Sequence, residues 1–516
     1  MLARMGVSVS VDAINAAVLS LSAESHHAIH ALVHTVSELE DTLIHLTSGL
    51  LFPLQHGITH KNLQCLEILW EKSPLNLQLN PSTNLLRLHP DSLNAAGLSH
   101  RDCFNSWKML GDLINYGPLY FHQFKDQLGE LEIVESIPVV KTPILAACAM
   151  HLSNSTVSRN ISSVVELLRQ GGIDDPDKID DPDMLDISEY ILLFHGDLGS
   201  GECLQAAQQR RSIEDTPWKR LQHVVFILGL FHLQMASANA IWCTFLQPLS
   251  ARDDDNALMH DIAILQPRET GIYGSKPRFR QMHELITYDG ICRRLDCWRV
   301  EANKDLDAYA ASELLFDDLK AMADQLTQNY VANHRLQQTR SRNYSQWDEQ
   351  YKNRLLLNKY FLLYEELSHW LLETCIFAWI LIFKATGKHK YVTQMTDFLY
   401  NIHFTYPEGL RKAIQYNVLV NPMGKKGKFW AIDWCVELNN LFIKVINGGK
   451  SSNHTADHII LESPLVQIYQ NLHKMFEWNM LHSNVTNQHA EADMSQTFKE
   501  LRKYMMAHSP YELKPG

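Results

Sequence analysis

Two acidic side chains stand where a chain can do phosphoryl-transfer chemistry. Asp197 follows the short, fully apolar run Tyr190–Phe194 (YILLF), which lies between an acidic loop and the turn sequence HGDLGSGE. Such a run reads as a buried central strand, and in α/β folds ligands and catalytic groups collect just beyond the C-terminal ends of strands. Glu437 lies in the segment Ala431–Ile446, whose apolar spacing is helical; Glu437, Asn440 and Lys444 fall at i, i+3 and i+7 and share one face. From Arg411 to Lys450 there are seven basic residues and two acidic ones, Asp433 and Glu437. Acidic ligands from a strand end and from a helix are what a two-metal phosphoryl-transfer site needs, with its Mg²⁺ ions about 3.5–4 Å apart. Asn440 would position a nucleotide or water, and Lys444 would meet a phosphate. His232 is the remaining candidate, either a histidine satisfied within the core or a site histidine facing Asp197. The bland alternative for Asp197 is a turn or helix-capping aspartate, and for the Glu437 face an ordinary charged helix surface.

Several elements must position these groups. Helices are expected at Thr156–Gln170, Glu202–Arg211 and Pro217–Gln247, the last apolar nearly all round and therefore buried. A strand is expected within Glu130–Val140. Further helices are expected over Leu306–Tyr344, Asp348–Ala385, Tyr391–Asn401 and Gly409–Val418. Residues 1–46 read as two helices; the second carries His26, His30 and His34 four residues apart. A metal site there competes with a solvated polar stripe, which is favoured because ligands on consecutive turns of one helix splay badly around one ion. The resulting organisation is an N-terminal helical segment (1–46), a first core part (47–250), a mainly helical insertion (251–418) and a second core part with C-terminal helices (419–516). The expected fold class is mixed α/β, predominantly helical, with a small central sheet.

Composition narrows the function classes. The 516 residues carry 46 basic and 58 acidic side chains, a formal charge of −12. That disfavours indiscriminate coating of nucleic acid but leaves local basic patches, of which 268–304 (eight basic, five acidic) and 411–450 are the candidates for DNA contact. Nine cysteines without a C-x-x-C pair argue against zinc ribbons and a disulfide framework. They suggest reduced thiols and an intracellular location, nuclear or cytoplasmic. The most apolar stretches, Val224–Met235 and Ile376–Phe383, are shorter than the ~20 residues of a membrane span. The acidic loop GGIDDPDKIDDPD lacks the spacing of an EF-hand. No G-x-S-x-G elbow, dinucleotide-binding glycine motif or Walker loop occurs.

The pattern E-x-x-N-x-x-x-K at Glu437, Asn440 and Lys444 resembles the last acidic motif of retroviral integrases and related DDE transposases. More widely, the strings HLTSGLLFPLQHGIT, LWEKSPLN, LLRQGGI, HGDLGSGE, SIEDTPWKR, LGLFHLQMA, RETGIYGSKPRFRQMHE, HFTYPEGLR, AIDWCVELNNLFIK and INGGKSSNH resemble a large family of unknown function abundant in mushroom-forming fungi. The resemblance implies a link to transposable elements and an RNase H-like core with a Mg²⁺ cofactor. It gives Asp197 the place of the second catalytic acid and Glu437 that of the third. The roughly 240 residues between them become a helical insertion. It also implies a first Asp on a strand just before HLTSG, where this chain reads LVHTVSELEDTLIHLTSG and offers only Asp41, in a helical context. A degenerate, inactive copy is the expectation that follows; a non-enzymatic helical scaffold is the alternative.

Overall fold

The computed structural model describes residues 46–64, 69, 97–130, 136–152, 156–175, 189–268, 270–273, 277–332, 349–369, 372–447, 455–476 and 493–512. The fold is mixed α/β and mostly helical, with small sheets. The chain forms two compact units, each assembled from separate stretches. The first collects Met1–Asn84, Ile137–His232 and Tyr400–Ala490; the second collects Leu85–Ser136, Leu233–Leu399 and Glu491–Gly516. The two helices expected over 1–46, apart from Leu46, lie outside the described residues, as do the His26–His34 stripe and Asp41.

Among the described residues, the first unit holds three two-stranded sheets. Strand β1 (Leu50–Leu51) runs antiparallel to β2 (Leu145–Ala146), and a bridge between Thr47 and Met150 extends the pair. Strands β3 (Leu192–Gly196) and β4 (Val224–Leu228) are parallel, in register from Leu192 opposite Val224 to Gly196 opposite Leu228. Strands β5 (Leu419–Val420) and β6 (Trp430–Ala431) form an antiparallel hairpin. Four helices matter to the site: α1 (Val157–Gln170), α2 (Leu198–Arg210), α3 (Leu230–Phe245) and α4 (Ile432–Asn447). Parallel strands need a crossover between them, and α2 supplies it. Leu204 and Ala207 of α2 pack with Val164 of α1, Leu221 and Val224 into one buried cluster.

The strand before Asp197 sits two residues further along than expected, so the aspartate follows it directly. A larger correction concerns Pro217–Gln247, expected as one buried helix. Its apolar run begins as β4 and becomes helical only at Leu230. Val224, Val225 and Ile227 are β-branched and suit a strand, and Gly229 makes the break. A Cβ there would lie 2.5 Å from the Asp433 carboxylate and 2.7 Å from the Gly196 carbonyl, so only glycine allows this close approach. For the strand expected within Glu130–Val140, residues 131–135 lie outside the described set and 136–140 form no strand; further along, Leu145–Ala146 pairs with Leu50–Leu51.

The second unit is helical among its described residues. The long helix Phe279–Ala302 is lined by buried side chains along most of its length. The expected helix over Asp348–Ala385 is two helices, Glu349–Ser368 and Leu372–Ala385. Trp298, Trp379, Phe361 and Phe383 are fully buried in this unit. So are Arg293 and Arg294, at 1% and 2% exposure. Arg293 pairs with Asp261 and Asp289, and Arg294 with Asp112 and Glu365. Lys108 reaches the same Asp112 and Glu365 at 2.8 and 2.9 Å. Arg299 pairs with Asp296 and Glu512, and Arg280 with Glu284. The basic count of 268–304 therefore overstates its surface charge. Four of its eight cations are paired with carboxylates, and the two buried arginines are out of reach of any phosphate.

Candidate functional site

The sequence-predicted residues converge in the first unit on one cleft of about 880 Å³. One wall is the stretch 46–54, another is β3 through Asp197, and a third is the face of α4 carrying Asp433, Glu437, Asn440 and Lys444. His232 completes the polar rim, while Val164, Leu167 and Leu168 supply apolar lining.

Asp197 performs the bland role and also lines the cleft. As N-cap of α2, its Oδ1 accepts a hydrogen bond from the Ser200 backbone N–H at 2.8 Å, which satisfies one of the helix's orphan donors. It stays exposed at the end of β3. His232 lies in the first turn of α3. Its Nδ1 is 2.9 Å from Oδ2 of Asp433, and its Nε2 is 3.8 Å from Oε1 of Glu437. Asp433 is buried at the start of α4, where its carboxylate also accepts from the backbone N–H groups of Phe231 (3.1 Å) and His232 (2.9 Å). This one carboxylate caps the start of α3, fixes the His232 ring and ties α4 to the β4–α3 junction. Phe231 reinforces the tie by packing on Trp434, ring centroids 4.6 Å apart.

Glu437 is one turn beyond Asp433, with its side chain 46% exposed. Asn440 Oδ1 accepts from the Ser48 hydroxyl, which joins α4 to the opposite wall. Lys444 is exposed at the cleft's edge. The hydrogen bond to Asp433 raises the His232 pKa above the usual histidine value, against its partial burial; the charges of Asp433, Glu437 and Asp197 act in the same direction. All three carboxylates thus act on this imidazole. His195, on β3, is pushed the other way: burial brings it down to about 4, opposed by Asp433.

Sequence reasoning found Asp197, His232, Glu437, Asn440 and Lys444, and the structure brings all five to the cleft. It missed the role of Asp433, and also Ser48 and His195. The signal for Asp433 was available: it stands four residues before Glu437, on the same helical face, after a stretch without acids since Glu408.

The donor set can be tested against Mg²⁺. The described acids of the cleft are Asp197, Asp433 and Glu437, and Asp433 is engaged by two N–H groups and an imidazole. Among the described residues no group of three or more His, Cys, Asp or Glu side chains is set to hold a metal ion. The wall at 46–54 presents Ser48 and no acid. Two carboxylates suit one hydrated Mg²⁺, which commonly binds through one or two carboxylates and keeps several waters. Among the described residues these two carboxylates do not by themselves make up a two-metal centre.

Among the described residues no helix is long and apolar enough to cross a membrane. No curated protein matches the chain, and no solved structure matches it. A family model does match, over residues 78–489, a span that contains Asp197, His232, Asp433, Glu437, Asn440 and Lys444 but not the Ser48 wall. Covering most of the chain, that match makes the protein a member of a family of unknown function, DUF6589.

Proposed function

We propose that this protein is a transposon-derived, RNase H-like relative of metal-dependent DNA transposases and nucleases, and that it is a degenerate copy without turnover. The observation that carries the reading is the convergence of Asp197 and Glu437 on one cleft, with His232 under the influence of both. A parallel β3–α2–β4 unit that ends its first strand in an exposed aspartate supports it, as does a glutamate on a separate helix facing the same space. In this reading Asp197 and Glu437 are the surviving metal-facing acids, Asn440 and Lys444 are nucleic-acid contacts, and Asp433 is a positioning residue that holds His232. Loss of a metal-binding carboxylate disables two-metal chemistry, because both the attacking and the leaving oxygen need an ion.

Cleavage of supercoiled plasmid DNA with Mg²⁺ or Mn²⁺ tests this. Neither the wild-type protein nor the Asp197→Asn/Glu437→Gln double variant is expected to cleave above a protein-free control. Wild-type cleavage that disappears in the double variant would keep the site and overturn the inactive form. Cleavage retained in the double variant would remove the site assignment altogether.

A further inference from the structure

We propose that the tip of the β5–β6 hairpin, with Lys425, Lys426 and Lys428 beside Lys141, is the surface on which this protein holds a nucleic-acid backbone. The inference deepens the reading of the cleft and rests on it for the choice of nucleic acid over other polyanions. All four lysines are exposed. No acidic residue occurs between Glu408 and Asp433, so the hairpin is a positive feature on a chain of net charge −12. Phosphate attraction needs such local concentration, since the molecule as a whole repels a polyanion.

The lysines are carried on a braced loop. Asn421, 1% exposed, donates from its side-chain amide to the Lys425 carbonyl at 2.8 Å and accepts from the Lys425 N–H at 3.3 Å. Its backbone exchanges two 2.9 Å hydrogen bonds with Thr142, the residue after Lys141. Gly424 N–H donates to the Asn421 carbonyl, and Lys428 N–H to the Lys425 carbonyl. Gly424 and Gly427 turn the chain at φ of +63° and +66°, conformations that favour glycine. A Cβ on Gly424 would sit 3.0 Å from that of Lys141, which shows how closely the two lysine-bearing segments approach. A braced loop holds its charges in place and loses less conformational entropy on binding than a free tail.

The same elements continue into the cleft: Leu419, Val420 and Thr142 line it, and Lys444 stands at its edge. A backbone held at the tip therefore leads toward Asp197 and Glu437. A lipid surface fits less well. Met423 is the large apolar side chain exposed at this tip, and stable membrane association needs a substantial apolar face in addition to charge.

The test uses the full chain, a fluorescein-labelled DNA duplex and anisotropy titrations over a series of salt concentrations. The wild-type protein is expected to bind, with log K falling linearly in log salt. The variant Lys425→Gln/Lys426→Gln/Lys428→Gln is expected to bind at least tenfold more weakly, with a slope about 2.7 less steep if each lysine meets one phosphate. Circular dichroism melting of this variant should be unchanged, since the three side chains are exposed. No wild-type binding at low salt would overturn the proposal, as would an unchanged slope in the triple variant. Lysine-dependent binding to phosphatidylserine vesicles in preference to DNA would also overturn it. Lysine-dependent DNA binding that survives in Asp197→Asn/Glu437→Gln supports the hairpin assignment even if that variant shows the cleft acids to be irrelevant, so the two readings fail separately.

Discussion

Asp433 holds three groups of the cleft wall at once: the Phe231 and His232 N–H groups and the His232 imidazole. It is buried beside two backbone donors and an imidazole, so its removal leaves those groups without their acceptor. An unsatisfied buried donor costs about 1–3 kcal/mol, and loss of a helix N-cap costs about 1 kcal/mol. Asp433→Ala is accordingly predicted to destabilise the protein by about 2–3 kcal/mol in urea unfolding, whereas Glu437→Ala, half exposed one turn away, should change stability by less than about 0.5 kcal/mol. Equal effects of the two substitutions would contradict the division of labour between a positioning and a cleft-facing acid. The exposed acids were legible in the sequence because a strand end and a helix face each have a recognisable pattern. Asp433 was visible but unassigned, since its importance comes from the start of α3, two hundred residues earlier, which no local spacing encodes.

At the scale of elements, the helices of the first unit follow their sequence signals. Thr156 caps α1 by accepting from the Arg159 N–H, and Gly171 ends it. Apolar periodicity marks α4. The run 224–246 defeats periodicity, since a buried strand and a buried helix look alike when a segment is apolar nearly all round. Gly229 was the informative residue there, and its meaning is steric. Gly229→Ala is predicted to force apart the Gly196 carbonyl and Asp433, lowering stability by about 1–3 kcal/mol. It should also alter the His232 imidazole resonances, because Asp433 fixes that ring. A variant with wild-type stability and an unchanged His232 spectrum would mean that the β4–α3 junction is looser than described. The sheet itself was only partly legible: β1, β2, β5 and β6 are two residues long each, and such short strands are defined by their partners rather than by their own pattern.

For the whole molecule, charge is divided between a buried network in the second unit and an open cleft in the first. The sequence shows 268–304 as basic but cannot show that Arg293 and Arg294 face inward, because, Asp289 aside, their carboxylate partners Asp261, Asp112 and Glu365 come from distant segments. Burial alone would raise the Glu365 carboxyl, but Lys108 and Arg294 override it and hold it down to about 2. A carboxyl depressed in the folded state stabilises above its ordinary value of 4.5, and that contribution is lost as pH falls through about 2. Glu365→Gln, which leaves Lys108 and Arg294 with Asp112 as their shared carboxylate, is predicted to cost about 3–5 kcal/mol at neutral pH. The gap from wild type should narrow as the pH falls from 4.5 toward 2. A gap independent of pH would show that the pair contributes through packing alone.

In the proposed reading the cleft keeps half of a metal-dependent nucleic-acid site, and anomalous diffraction from a crystal grown with Mn²⁺ tests this. One manganese peak in contact with both Asp197 and Glu437, with no second ion beside it, is the predicted result. Two ions about 3.5–4 Å apart would identify an intact catalytic centre, and an absence of manganese at both carboxylates would contradict the assignment of either residue to a metal site.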